Sequence, residues 1–433
     1  MRSRHRTATR LSGISSNWAH LSILREAVVN HEPVVVTGMG CISALGHSVE
    51  AFWSALEKGT CGLGKLDIPG PSELKVTIGG SIPAPDPRER LDDRRLPMLD
   101  RFSLLAIVAA EQAITQSGLP LGDGGFRTGC VIGVGTAGAE TIDELYRRLY
   151  LDGAKRANVF TVPRVMPSAP ASQISMMFGI RGPVFTVSSA CASSNHAVAT
   201  AVWLLRNGVI DAAVVGGTEA PLTFGILKAW EAMRVLAPDT CRPFDRHRKG
   251  LVLAEGAGVF ILERAQHAKA RGASILAEIA GVGMSADAAD LVAPTLDGPA
   301  LAIRSCLADA TLGTDAVDYV NAHGTGTVAN DIAEINIIKS VFGHDARRLS
   351  ISSTKSMHGH ALGASGALEL IAVIEAIRRG IVPPTMNIEE LDPECDLDVT
   401  PGCARERPIR AAISNAFAFG GTNAIVAVTR FVG

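Results

Sequence analysis

The sequence predicts an α/β protein with largely buried sheets and helical layers around them, on two observations. Short apolar, β-branched runs ending in glycine recur along the chain: VVVTGMGCISALG from Val34, then GCVIGVGT, DAAVVGGTEA, GAGVFILERA, VDYVNAHGTGT, LSISSTKSMHGH and NAIVAVTRF. Between them lie Ala-rich stretches with helical spacing, such as Phe102 to Ser117 and Gly366 to Arg379. Continuous apolar strands alternating with helices are the pattern of sheets covered on both faces.

The ordered chain is read from Pro33, where VVVTGMG forms a strand and Gly-rich turn and VEAFWSALEKG a helix. The 32 residues before it, rich in Arg and Ser and without an acidic residue until Glu26, read as an extension. It is a flexible tail, a processed transit-type segment, or translation from a start placed too far upstream. The stretch Ser285 to Asp297 (SADAADLVAPTLD) reads as a connecting loop. It divides the rest into a longer half, 33–290, and a shorter half, 291–433.

A chain of 433 residues, 47% hydrophobic and 19% charged, can bury a large core. Its net charge of −2 leaves no basic footprint for nucleic acid. The eight cysteines (Cys41, Cys61, Cys130, Cys191, Cys241, Cys306, Cys395 and Cys403) never form CxxC, which argues against a zinc site and for a reducing compartment. No run is long and apolar enough to span a membrane.

Gly-rich patches raise a nucleotide reading. GMGCISALG does not fit GxGxxG, and GVGTAG at Gly133–Gly138 is followed by a charged helix instead of a strand ending in an acid. There is no P-loop and no GxSxG. Three other segments carry chemistry. In FTVSSACASSNHAVATAVWLL, Phe185 to Leu205, a strand runs into an Ala-rich helix with Cys191 at its start. Unpaired N–H groups there favour thiolate over thiol. In VNAHGTGTVANDIAE a strand ends at His323, and STKSMHGHALGASGALE places Lys355 and His360 five apart. All are strand-end residues beside Gly-rich turns, where a rigid sheet presents side chains to a cleft.

These segments, with CRPFDRHRKGLVLAEGAGVFILE and NAFAFGGTN, resemble the β-ketoacyl-acyl-carrier-protein synthases, condensing enzymes of the thiolase superfamily. The resemblance runs from Val34 to the C-terminus. It implies a thiolase-like five-layered α/β/α/β/α fold of two similar halves. It also implies a decarboxylative Claisen condensation that extends a fatty-acid or related acyl chain by two carbons, without metal or organic cofactor; the phosphopantetheine arm arrives on the substrate. Cys191 is then the nucleophile, with the backbone amides of Cys191 and Phe419 holding the oxyanion. His323 and His360 act as neutral imidazoles on the malonyl thioester. Lys355, paired with Glu369, supports them; Thr325 and Thr327 bind the arm; Phe417 gates the acyl pocket.

The partners implied are an acyl-carrier protein and a second copy of the chain, or a related condensing subunit. A basic docking surface would suit an acidic carrier, with Arg127, Arg206 or the run Arg246–Lys249 as contributors. The compartment implied is the cytoplasm, or an organelle if the N-terminus is a transit peptide. His358 stands where fatty-acid elongating members usually carry Thr, and VLAPDTCRPFD is short. These departures admit a specialised pathway, polyketide, aryl-polyene or nodulation-factor-type. A thiolase would need a second cysteine in NAFAFGGTN, which has none.

Overall fold

Ten strands form the central sheet of the computed structural model, which describes residues 32–68, 74–90, 94–121 and 125–433. The extension expected over 1–32 lies outside these residues, save Glu32. The strands are β1 (Val34–Ser43), β2 (Thr128–Gly133), β3 (Val184–Val187), β4 (Ala212–Glu219) and β5 (Gly256–Arg264), followed by β6 (Ala277–Ala286), β7 (Val317–Asn321), β8 (Ser350–Ser352), β9 (Ala411–Ala418) and β10 (Thr422–Thr429). Their order across the sheet is β8-β7-β9-β10-β6-β1-β5-β4-β2-β3.

Two similar halves are visible in this order. From β1 outward, pairing runs antiparallel to β5, antiparallel to β4, then parallel to β2 and β3. From β6 outward it runs antiparallel to β10, antiparallel to β9, then parallel to β7 and β8. Within the sheet the two halves pair where Val34, Val35 and Val36 meet Ile279, Glu278 and Ala277.

Helices complete the layers. The helix α1 (Arg101–Ser117) covers β1, β5 and β4 from outside. Asp100 caps its first turn by accepting from Phe102 N at 3.3 Å, and Gly118 ends it at φ 59°. Helices α2 (Ser193–Arg206) and α5 (Ser365–Arg379) each touch strands of both halves, so they form the middle layer. That position explains why α5 is buried continuously from Ser365 to Ile377. Helix α3 (Asp297–Asp309) covers β6 and β10, and α4 (Val328–Phe342) packs beside it. The result is the five-layered α/β/α/β/α arrangement.

The glycines that suggested nucleotide binding are packing positions. A Cβ on Gly40 would sit 1.8 Å from the Ala109 carbonyl oxygen, so GMG lets α1 lie directly on β1. A Cβ on Gly133 would come within 2.4 Å of Ser193, at the start of α2. All eight cysteines are free. Among the described residues no helix is long and apolar enough to cross a membrane.

Candidate active site

The strand β3 delivers Cys191 through a strained turn. Ala190 adopts φ 47°, a left-handed conformation costly for any residue with a Cβ. One 3₁₀ turn, Ala190–Ala192, then leads into α2. Cys191 is only 6% exposed and packs in an apolar cluster with Leu227, Leu251, Leu253 and Leu362. This burial corrects the expected resting thiolate: loss of water pushes the thiol up to about 12, against the lowering effect of Lys355 and its own N–H. Burial therefore favours the thiol form of Cys191 at rest.

His323 follows β7 and is fixed through its backbone. Its N–H and that of Gly324 both donate to Glu334, at 2.8 and 2.7 Å, and Asn415 Nδ2 donates to the same carboxylate. Lys355 Nζ donates to the His323 carbonyl at 2.6 Å and faces His323 Nδ1 at 3.4 Å. The ammonium is fully buried, as is the Glu369 carboxylate with which it forms an ion pair. Burial raises Glu369 to about 7, against the pull of that cation. Helix α5 runs on past Glu369 for almost three turns to Arg379, which places the carboxylate deep in the middle layer.

His360 accepts at Nδ1 from Leu362 N at 3.1 Å, with Ser365 Oγ at 2.8 Å. An accepting Nδ1 puts the ring proton on Nε2. The same logic holds for His323, whose Nδ1 faces an ammonium. Both rings therefore carry Nε2–H. Burial, then Lys355, holds both well below the usual imidazole value, so both are neutral near pH 7.

The three groups meet. One donor atom each from Cys191, His323 and His360 lies within 4.8 Å of the other two. The two imidazoles stand edge to face, with centroids 5.5 Å apart. They line a cavity of about 140 Å³ with Thr325, Thr327, Phe417 and Phe419. Phe417 sits edge-on against His323, and the Thr325 and Thr327 hydroxyls bond each other at 2.9 Å. A cysteine and two histidines could also hold zinc. However, a metal on Nε2 needs Nδ1–H and an acceptor behind it, and His323 has the Lys355 ammonium there. An ammonium behind Nδ1 suits an imidazole that donates from Nε2.

Other candidates fall elsewhere. His358 does not line the cavity: its Nε2 is 3.0 Å from Thr354 Oγ1 and its ring lies against Phe52. Arg127 is ion-paired with Asp211 and Arg206 with Asp309, so neither is an uncommitted cation. Within the run Arg246–Lys249, Arg248 is buried.

Three contributors were not among the residues singled out from the sequence. Trp230 lines the cavity and stacks on Phe419 at 5.8 Å, but a lone tryptophan in a helix reads as core. Glu334 lies eleven residues beyond the His323 it holds. Glu219 accepts from Gly135, Thr136 and Gly363 N–H, tying together the loops on both sides of Cys191. A carboxylate at the end of the apolar run AAVVGGTE was its only signal.

The Gly420–Gly421 turn after Phe419 also has φ above zero, and a Cβ on Gly421 would come 2.5 Å from Asp287 Cβ. Gly421→Ala is therefore expected to cost about 2 kcal/mol from strain and displaced contact, read as a lowered denaturation midpoint. An unchanged midpoint would mean that the turn relaxes freely.

Comparison with known proteins follows the same residues. A family model described as "Beta-ketoacyl synthase, N-terminal domain" matches residues 31–268, and "Beta-ketoacyl synthase, C-terminal domain" matches 276–389. The chain is 54% identical to Nodulation protein E of Rhizobium sp. (strain N33), over 91% of this chain and 98% of that protein. It is 37% identical to 3-oxoacyl-[acyl-carrier-protein] synthase 2 of Staphylococcus aureus (strain N315), over 92% and 98%. Among solved structures, a type II PKS acyl-carrier protein in complex with its ketosynthase bound to the hexaketide superposes with a TM-score of 0.85. That match is 31% identical and covers 93% of this chain and all of that one.

Proposed function

The chain belongs to the β-ketoacyl synthase family, and from that premise we propose how its site performs the condensation. The carrying observation is the meeting of Cys191 with two neutral, Nε2-protonated imidazoles in one cavity. Cys191 Sγ attacks the carbonyl of an acyl thioester on a carrier protein. The carrier thiol leaves with the proton the cysteine gives up, and an acyl-Cys191 thioester remains. The backbone N–H groups of Cys191 and Phe419 stabilise the tetrahedral oxyanion.

A malonyl thioester then enters along Thr325 and Thr327. Its carbonyl oxygen accepts from His323 Nε2–H and His360 Nε2–H. As carbon dioxide departs, negative charge moves onto that oxygen, where two preorganised donors contribute several kcal/mol. The enolate carbon attacks the acyl-Cys191 carbonyl, a carbon–carbon bond forms, and Cys191 sulfur leaves and regains a proton. The product is a 3-oxoacyl thioester two carbons longer. Lys355 serves this step by keeping both rings from taking up a proton.

We assign the partner carrier by the same reading, and the pathway as one that builds a specialised acyl chain. The 54% identity to a nodulation protein supports that second assignment over housekeeping elongation. The compartment that follows is the cytoplasm. Intact-protein mass spectrometry with carrier proteins bearing acyl chains of graded length tests it. An adduct strongest for one chain length supports the reading, and no adduct with any chain overturns it.

A second copy of the chain is the proposed structural partner. The edge strand β3 is half-buried along its length, and Met176, beside it on the helix Ala169–Phe178, is 67% exposed. Tyr150 and Val159, in the segment preceding them, are also exposed. An open edge beside apolar surface is what a two-fold partner covers. Met176→Asp is expected to shift sedimentation from dimer toward monomer. A parent that sediments as a monomer removes the assignment.

A further inference from the structure

The basic run RHRK contains one member unlike the rest. Arg246 and Lys249 reach outward to Glu390 and Asp239. The Arg248 side chain is wholly buried. Its Nη1 donates to the Asp245 carbonyl at 2.7 Å and to Asp392 Oδ2 at 2.6 Å. Its Nη2 donates to the Val328 carbonyl at 3.3 Å, and its Nε to the Thr327 carbonyl at 3.4 Å. Nε also lies 3.3 Å from Asp331 Oδ2. Asp331 in turn accepts from Gly326 N at 3.2 Å and Phe244 N at 2.9 Å.

These contacts converge on the loop that carries Thr325 and Thr327. The loop has no ladder partner of its own: Gly324 and Gly326 adopt φ 34° and 81°. Thr327 precedes α4 as its capping residue, yet its hydroxyl caps nothing and bonds Thr325 Oγ1 instead. Thr327 N–H donates to Thr325 Oγ1 at 3.3 Å, while the Thr327 carbonyl is held by Arg248 and the Gly326 N–H by Asp331, so the pair of hydroxyls stays at the cavity wall.

We infer that Arg248 is a positioning residue for the thioester arm. Its buried guanidinium shapes the loop that presents Thr325 and Thr327, and so governs how substrates bearing pantetheine are held. The inference rests on the reading above that these threonines bind the arm. Lysine cannot replace it, because a point charge with three donors cannot span two carboxylates and three carbonyls as the planar fork does.

The test measures condensation of acyl-Cys191 enzyme with two malonyl thioesters, one of pantetheine and one of N-acetylcysteamine, which lacks most of the arm. For Arg248→Lys, the KM for the pantetheine thioester is expected to rise about tenfold with kcat little changed. The KM for the N-acetylcysteamine thioester stays as in the parent. Equal losses on both thioesters, or no change on either, overturn the inference.

Should Arg248→Lys fail to fold, Asp392→Asn takes its place. Asp392 is 14% exposed and its loss leaves the Asp331 pair, so the same pantetheine-selective rise is expected at smaller size. A Thr325→Ala/Thr327→Val variant runs in parallel. If it leaves the pantetheine KM unaltered, the arm-binding reading is wrong. If it raises that KM while Arg248→Lys does not, only the positioning inference falls.

Discussion

Replacing Cys191 with alanine is expected to abolish the acyl-enzyme adduct and lower condensation by at least about a thousandfold. Release of carbon dioxide from a malonyl thioester should continue. In the proposed mechanism the two half-reactions use different atoms: acyl transfer uses Sγ, whereas decarboxylation uses the Nε2–H groups of His323 and His360 and the cation behind them. Cys191 packs among aliphatic side chains, so exchanging its sulfur for hydrogen costs little beyond a small cavity. The loss is then chemical and not structural. Mass spectrometry reads the adduct, and carbon dioxide release reads the second half-reaction. An adduct of equal size on the variant would exclude Cys191 as the nucleophile. A parallel loss of decarboxylation would mean that the sulfur helps hold the malonyl group, which the proposed division of labour does not allow.

How much of this was legible in the sequence depends on whether a residue acts alone or through a distant neighbour. The strand-and-helix alternation came from runs such as VVVTGMG, because burial on both faces selects continuous apolar stretches. Cys191, His323, Lys355 and His360 were legible as candidates because each sits in a Gly-rich or small-residue motif of unusual composition that follows a strand, although Lys355 opens a short helix, Lys355–His358, and His360 lies just beyond it. The Lys355 partner was expected at Glu369, and the structure pairs them.

What the sequence hid was the packing of one segment on another. Glu219 holds backbone groups distant in the chain and Glu334 those of His323 and Gly324, and nothing in local composition marks an acceptor of backbone N–H groups. The same limit inverted the reading of RHRK, in which a charge that looks solvated is buried by two remote carboxylates. It also governed Cys191: the helix-start field is a local property, whereas the burial that outweighs it is set by leucines from three other segments.

The electrostatic role of Lys355 gives the second large effect. Lys355→Met alone would leave Glu369 buried without its cation, so the variant to make is Lys355→Met/Glu369→Gln, which removes both charges together. Condensation is expected to fall roughly a hundredfold, because the donor that fixes the His323 carbonyl is lost along with the field on both rings. The pH profile separates this role from packing. In the parent, burial and then Lys355 hold His323 and His360 well below 6.5, so the acid limb of decarboxylation lies well below that value too.

Without the cation both pKa values rise, though burial still keeps them depressed, and the limb moves to higher pH. Stability shifts in a linked way. A histidine depressed in the folded state takes up its proton more readily when unfolded, so its contribution is lost as pH falls from about 6.5 toward the folded value. In the double variant that gap is narrower, so the histidines' share of the acid loss of stability is shallower, while Glu369→Gln removes the opposing gain that a carboxyl raised to about 7 gives as pH falls. The decisive readout is therefore the rate, whose acid loss begins at higher pH in the double variant. If rate falls at every pH alike and the acid limb stays in place, Lys355 is a packing element, and burial alone keeps the histidines neutral.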